Sequence, residues 1–351
     1  MKLNAIIRQY EAVLKAKYAA RLLPSIFRAI NALLCCRTEA AGAFRLQCSD
    51  PECNQQALQP RSCGHRSCVQ CQNHETSRWL DRQLAKLLPV EYFMVTFTLP
   101  YELRSLAWRH QTVVYNILFD CAASTLKDFG LNPDNLGATI GMTGMLHTHS
   151  RKLDYHPHCH FIVLGGGINL LRRQWIKLKN KFLFNEFALA TVFRARCLDA
   201  FNKADLPIPF GVPTEWVVHC KHVGHGKPAL KYLSRYLYRG VINENNIVSN
   251  ENGIVTFKYT DSETGTTQFR QLKGEDFCWL VLQHVLPKGF RRVRDYGFLH
   301  GNAKKKWLLV QRVLQVAKKI ISFRPRPVFK CPHCQSPMNI IGFIKPNWQP
   351  G

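Results

Sequence analysis

Acidic side chains are scarce in this chain: 23 Asp and Glu stand against 48 Lys and Arg in 351 residues, a formal net charge of +25. Such a balance predicts a polyanionic partner. Each phosphate neutralised by Lys or Arg releases condensed counterions, so nucleic-acid binding with a steep salt dependence is expected. Long apolar runs are missing as well. Without a stretch of about 18 apolar residues no membrane-spanning helix is expected, and MKLNAIIRQYEAVLKAKYAARLL reads as an amphipathic helix rather than a secretory leader. The expectation is a protein of the cytoplasm or nucleoid with no membrane partner. No P-loop occurs, so chemistry driven by nucleotide hydrolysis is not expected. No internal repeat is evident either.

What the chain has in abundance is cysteine, 14 in all. In a reducing compartment, CxxC pairs beside histidines favour zinc thiolates over disulfides. From Cys36 to Cys71 the large aliphatic residues needed for a core are few, so an added organiser is required. The donors there are Cys36, Cys48, Cys53, Cys63, His65, Cys68 and Cys71. In one partition Cys48/Cys53 and Cys68/Cys71 form a tetrahedral structural zinc site. Cys36, Cys63 and His65, with Cys35 or His74, then remain for a second. Spacing does not choose the partition. Cys331 and Cys334 in CPHC offer half a site, either sharing a zinc with upstream donors or holding none. Cys121, Cys197, Cys220 and Cys278 stand alone and are read as buried thiols.

Periodicity predicts helices over about 1–34, 74–88, 102–129, 170–202, 228–242, 275–285 and 303–320. Strands are expected at 91–100, 137–149, 156–167, 215–220, 253–261 and 266–272, the second and third pairing antiparallel. This is an α+β core between two cysteine modules. The expected divisions are an N-terminal amphipathic helical region (1–34), a zinc-binding module with its following helix (35–88), a catalytic domain (89–302) and a basic C-terminal tail with CPHC (303–351).

HPHCH puts His156, His158 and His160 at alternate positions, so an extended backbone projects all three imidazoles from one face. Imidazoles hold Zn, Mn and related ions, and Mg where water and phosphate oxygens complete the shell. Two or three protein ligands leave sites for substrate, which is a catalytic arrangement.

In KYLSRYLYRG, Tyr232 and Tyr236 lie one helical turn apart on one face. Such a pair is commonly core packing, but the interleaved Lys231, Arg235 and Arg239 suggest a phosphate-facing surface. KGFRRVRDYGF adds Lys288, Arg291, Arg292 and Arg294 as candidate DNA contacts, with Phe290 and Tyr296 as candidates for stacking on unpaired bases.

The succession of a cysteine module (CRTEAAGAFRLQC, SCGHRSCVQC), a His-hydrophobic-His strand (LHTHSRKLDYHPHCHFIVLGGG), a tyrosine helix (ALKYLSRYLYRGVI) and LQHVLPKGFRRVRDYGFLHG resembles the rolling-circle insertion sequence 91 family of HUH two-tyrosine transposases almost end to end. The resemblance implies an HUH-type antiparallel sheet flanked by helices, with an N-terminal zinc-binding domain. It implies that His158 and His160 are metal ligands and that Tyr232 and Tyr236 are nucleophiles. It further implies catalytic Mg2+ or Mn2+, structural Zn2+, a 5′-phosphotyrosine intermediate, and as partners the single-stranded DNA ends of a mobile element and target DNA. His147 and His156 fall at histidine positions typical of the family, His156 being the candidate third ligand. His149 and Ser150 depart from the usual Trp-Gly, and Ser67 from a frequent histidine. A replication initiator or relaxase of the same chemistry is the alternative enzyme, and a zinc-finger DNA-binding regulator the non-enzymatic one.

Overall fold

A computed structural model of the chain describes residues 2–71, 73–178, 181–237, 241–261, 264–317, 321, 323, 325 and 327–347. The amphipathic N-terminus forms two helices, α1 (Leu3–Lys17) and α2 (Pro24–Cys35), with Pro24 at the first helical position, where its missing N–H costs nothing. Strands β1 (Ala43–Cys48) and β2 (Gln56–Pro60) follow, then helix α3 (Asn73–Ala85).

The central part comprises β3 (Tyr92–Thr98), α4 (Arg104–Arg109), α5 (Gln111–Leu131), β4 (Gly141–His149) and β5 (Tyr155–Leu164). β6 (Gly166–Asn169) and β7 (Gln174–Lys177) form a short hairpin whose turn and second strand occupy the start of the span expected as helix 170–202, where only α6 (Glu186–Lys203) is helical. The expected helix fails where Asn169 turns the chain, its Oδ1 accepting from the N–H groups of Leu171 and Arg172. Next come β8 (Val218–His222), α7 (Lys227–Leu237), β9 (Ile247–Glu251), β10 (Ile254–Thr260), β11 (Thr267–Lys273) and α8 (Gly274–Leu282). The chain continues through β12 (Val293–Gly297), α9 (Lys304–Val313) and β13 (Met338–Ile344).

The fold is α+β. Its centre is a five-stranded antiparallel sheet in the order β12-β4-β5-β3-β8. The pairing of β4 with β5 predicted from sequence is present. One face of the sheet carries Phe93, Phe97, Cys159, Phe161 and Val163 and is packed by α5 and α6. The opposite face carries Tyr92, Met145, Ile162 and Leu164 and is packed by Trp79 of α3 and by Ala229 and Leu230 of α7. Burying each large side chain is worth about 1.5–3 kcal/mol, so these two faces fix which way every strand residue points.

β4 can lie between both cores because it is thin. A Cβ on Gly144 would meet the Phe161 ring at 2.7 Å on one face, and one on Gly141 would meet Phe298 at 2.3 Å on the other. A separate core joins α1, α2 and α8 to the β9–β10–β11 meander, with Tyr18 stacked on Trp279 at 4.7 Å between ring centroids. β13, unforeseen from the sequence, pairs antiparallel with β1, so the last described strand completes a sheet begun by the first.

Candidate metal centre

β5 presents its histidines as alternation requires, and β4 supplies another from across the ladder: His147 pairs with His158, and Met145 with His160. His147, His158 and His160 each place a ring nitrogen within 4.8 Å of the other two. The Nε2 atoms of His158 and His160 are 3.1 Å apart. An ion bound to two nitrogens at about 2.1 Å holds them about 3.0–3.4 Å apart for octahedral or tetrahedral angles, so the spacing fits a shared cation.

The outer contacts orient the same atoms inward. His158 Nδ1–H donates to the His156 carbonyl at 2.7 Å, which leaves the lone pair on Nε2. His160 Nδ1 lies 2.8 Å from Thr96 Oγ1 on the neighbouring β3. Burial, reinforced by the neighbouring rings, holds His147 and His158 well below the usual histidine range, and burial brings His160 down to about 4. The cluster is therefore neutral near pH 7, the state in which imidazole ligates.

His156 does not join this cluster, a correction to its expected place as third ligand. The β4–β5 register shifts between His147 and His149, so no β4 histidine stands opposite His156. Its Nδ1 instead meets Arg104 Nη2 at 2.5 Å, and burial followed by that guanidinium lowers it to about 4. Further along the same face, His149 is buried against His284 with ring centroids 5.4 Å apart. His284 is fixed in turn by the Leu153 carbonyl at 2.7 Å from its Nε2 and by Thr148 Oγ1 at 3.2 Å from its Nδ1. These contacts fall outside the HPHCH alternation and lack a signal in local sequence.

Among the described residues, eight of the 14 cysteines form two groups of four, Cys36/Cys63/Cys68/Cys71 and Cys48/Cys53/Cys331/Cys334. The partition joining Cys48/Cys53 to Cys68/Cys71 is thus not the one adopted, because β1 carries Cys48 toward β13 instead. In the first group Cys36 Sγ is 3.5 Å from Cys71 Sγ and 3.7 Å from Cys68 Sγ, and Cys63 Sγ is 3.7 Å from Cys71 Sγ. Four sulfurs about 2.3 Å from one zinc lie about 3.8 Å apart, so the set suits a tetrahedral ion. Hydrogen bonding to the Cys36, Cys68 and Cys71 sulfurs, then burial, pushes the Cys63 thiol up, which a bound dication reverses. Neither His65 nor Cys35 belongs to either group. His65 Nδ1 accepts from the Ser67 N–H at 3.2 Å, and burial lowers it.

The basic stretch after α8 is divided by β12. Lys288 and Arg291 are exposed, whereas Arg292 is 9% exposed, and its carbonyl accepts from Leu146 N–H at 2.9 Å. Arg294 lies over the Phe119 and Phe290 rings, at 4.3 and 5.3 Å, and reaches Asn116. Phe290 is buried against Tyr115 and Tyr296 is half-buried near Phe161, so neither is a free stacking platform. Strand alternation and the need to fill the core took these residues from the surface.

Helix α7 contains Tyr232 and Tyr236 and packs on the histidine-bearing face through Ala229 and Leu230. Lys231 is exposed. The side chains of Tyr232, Arg235 and Tyr236, and the whole of Arg239, lie outside the described residues. Gly226 (φ +77°) turns the chain from β8 into α7, and a Cβ there would strike the Tyr92 ring at 2.7 Å.

Two family descriptions match this chain: "Transposase zinc-binding domain" over residues 6–99 and "Putative transposase" over 141–306. It is 34% identical over 329 residues to "Putative transposase y4qJ" of Sinorhizobium fredii, covering 87% of this chain and 82% of that one. It is 27% identical over 288 residues to the "Transposase for insertion sequence element IS801" of Pseudomonas savastanoi pv. phaseolicola, covering 77% and 69%. A solved conjugative relaxase TrwC with DNA overlays 65% of this chain and 74% of its own at 14% identity and a TM-score of 0.28, too loose an overlay to carry an argument.

Proposed function

Given that the chain belongs to the insertion sequence 91 family of transposases, we propose that it nicks and transfers single-stranded DNA at the ends of its element by metal-assisted tyrosine attack. The observation that supports this reading is the meeting of three neutral imidazoles on the sheet face against which the tyrosine-bearing helix packs. His158, His160 and His147 would hold the divalent ion, Mg2+ or Mn2+. When bound, such an ion orients and neutralises a scissile phosphate as a Lewis acid.

The remaining roles belong to the protein. The His156 carbonyl fixes the tautomer of His158, and Thr96 Oγ1 holds the His160 ring in orientation. The Tyr232 phenol attacks phosphorus, the Oη–P bond forms, and the bond to the 3′ oxygen breaks. The phenol proton leaves to solvent and the departing oxygen takes one up, giving a 5′-phosphotyrosine and a free 3′-hydroxyl. One phosphoester replaces another, so the bond energy is kept and no nucleotide need be hydrolysed. Tyr236 would serve a second strand. Lys231, Lys288 and Arg291 offer exposed cations for phosphates of the element end and target.

The test is a denaturing gel of the protein incubated with labelled single-stranded element ends and Mg2+ or Mn2+. A covalent protein–DNA band is expected, lost on chelation and in Tyr232→Phe. Its persistence in a folded Tyr232→Phe/Tyr236→Phe double variant would exclude these tyrosines as nucleophiles.

A further inference from the structure

We propose that Cys48, Cys53, Cys331 and Cys334 bind a second structural zinc ion, one that ties the C-terminal strand to the N-terminal module. Half of this site lies beyond residue 99, where the match to the zinc-binding domain ends. The pairs are far apart in sequence but adjacent in space. Cys48 Sγ is 3.4 Å from Cys334 Sγ across 286 residues, and Cys53 Sγ is 3.7 Å from Cys331 Sγ across 278.

These separations match the roughly 3.8 Å edge of a zinc tetrathiolate and far exceed the roughly 2.05 Å of a disulfide bond. Each pair sits on a turn shaped to aim both sulfurs inward. In the C-terminal turn Cys331 N–H donates to the Ser336 carbonyl at 2.9 Å, and Gln335 N–H to the Cys331 carbonyl at 3.0 Å. In the N-terminal turn Asn54, at φ +43°, donates its N–H to the Asp50 carbonyl at 3.0 Å. His333 Nδ1, 3.7 Å from Cys53 Sγ, supplies an outer contact to a ligand sulfur.

The surroundings supply little other stabilisation. The buried residues of this cluster are Leu46, Cys48, Cys331 and Met338, with Phe44, Ala57 and Phe329 only partly buried against them, too few to hold a three-stranded sheet by burial alone. On the strand β13, Ile340, Ile341 and Phe343 stay about half exposed or more. A metal is the organiser that such a core lacks. The inference does not depend on the histidine centre or on strand cleavage.

Full-length protein loaded with Co2+ should give thiolate-to-metal charge-transfer absorption from two sulfur-only sites. Cys331→Ser/Cys334→Ser should retain about half of it, from the Cys36 group. Wild-type zinc protein treated with iodoacetamide and mapped by mass spectrometry keeps the conclusion testable if that variant fails to fold. Cys48, Cys53, Cys331 and Cys334 should be protected together and become reactive together when zinc is chelated. Unchanged absorption in the folded double variant overturns the proposal. So does alkylation of Cys331 and Cys334 while Cys48 and Cys53 remain protected, or recovery of any of the four as a disulfide.

Discussion

Replacing His147 separates a three-histidine centre built across two strands from one read off a single strand. His147→Ala removes one of the three clustered ring nitrogens proposed as ligands but leaves the β4 backbone ladder opposite His158 in place. Loss of an outer partner of a ligating histidine typically weakens metal binding about 10–100-fold. Loss of a ligand should cost more, so we expect at least about a 100-fold rise in the Mn2+ dissociation constant, about 2.7 kcal/mol or more. Thr96→Val, which removes the hydroxyl 2.8 Å from His160 Nδ1, should fall within about 10–100-fold. His156→Ala should stay below about 10-fold, because that ring is engaged by Arg104. Electron paramagnetic resonance of free Mn2+ titrated with each protein gives the constants directly, without DNA. If His156→Ala weakens binding more than His147→Ala, the third ligand has been misassigned.

Three further outcomes follow from particular contacts. Gly226→Ala places a side chain in left-handed backbone and against Tyr92, so stability should fall by about 1–3 kcal/mol in chemical denaturation, with nicking reduced as α7 shifts. Phe161→Ala empties a site buried between β4 and α5, and urea unfolding should show a loss of about 3–5 kcal/mol. His284, held at about 4 chiefly by burial against an ordinary value near 6.5, is neutral in the fold where the unfolded chain takes up a proton. Its contribution is therefore intact above about pH 6.5 and is lost as pH falls toward 4, up to about 3 kcal/mol. Unfolding curves between pH 7 and 4.5 should steepen this loss relative to His284→Gln, and parallel curves would refute it.

Four strands of the central sheet are legible in the sequence, with β-branched or aromatic residues bounded by Pro or turn residues as in EYFMVTFTLP and HPHCHFIVLGGG, whereas the edge strand β12, inside the basic run, is not. The histidine face was legible for the same reason, since alternation fixes direction without knowledge of the neighbours. What local pattern does not contain is register. His147 becomes a partner of His158 only through the β4–β5 pairing, and His156 is set aside by a shift in that pairing. The cysteine groups carry the same lesson at longer range. CxxC spacing marks the donors, but the joining of Cys48 to Cys334 depends on β1 pairing with β13. In the basic run at 288–294 charge alone does not show direction: Arg292, just before β12, is buried, and Arg294, on β12, lies over the Phe119 and Phe290 rings.

The pairing of β1 with β13 also sets a timetable. Cys48 leaves the ribosome long before Met338, its partner across the sheet, and at about 5–20 residues per second the delay is on the order of tens of seconds. Through that interval β1 has one unsatisfied edge and half a set of thiols, open to oxidation or to premature capture by another nascent chain. A message cut short before Met338 would leave that edge open permanently. Copies truncated there should therefore accumulate as aggregates, even with every residue of the histidine centre intact.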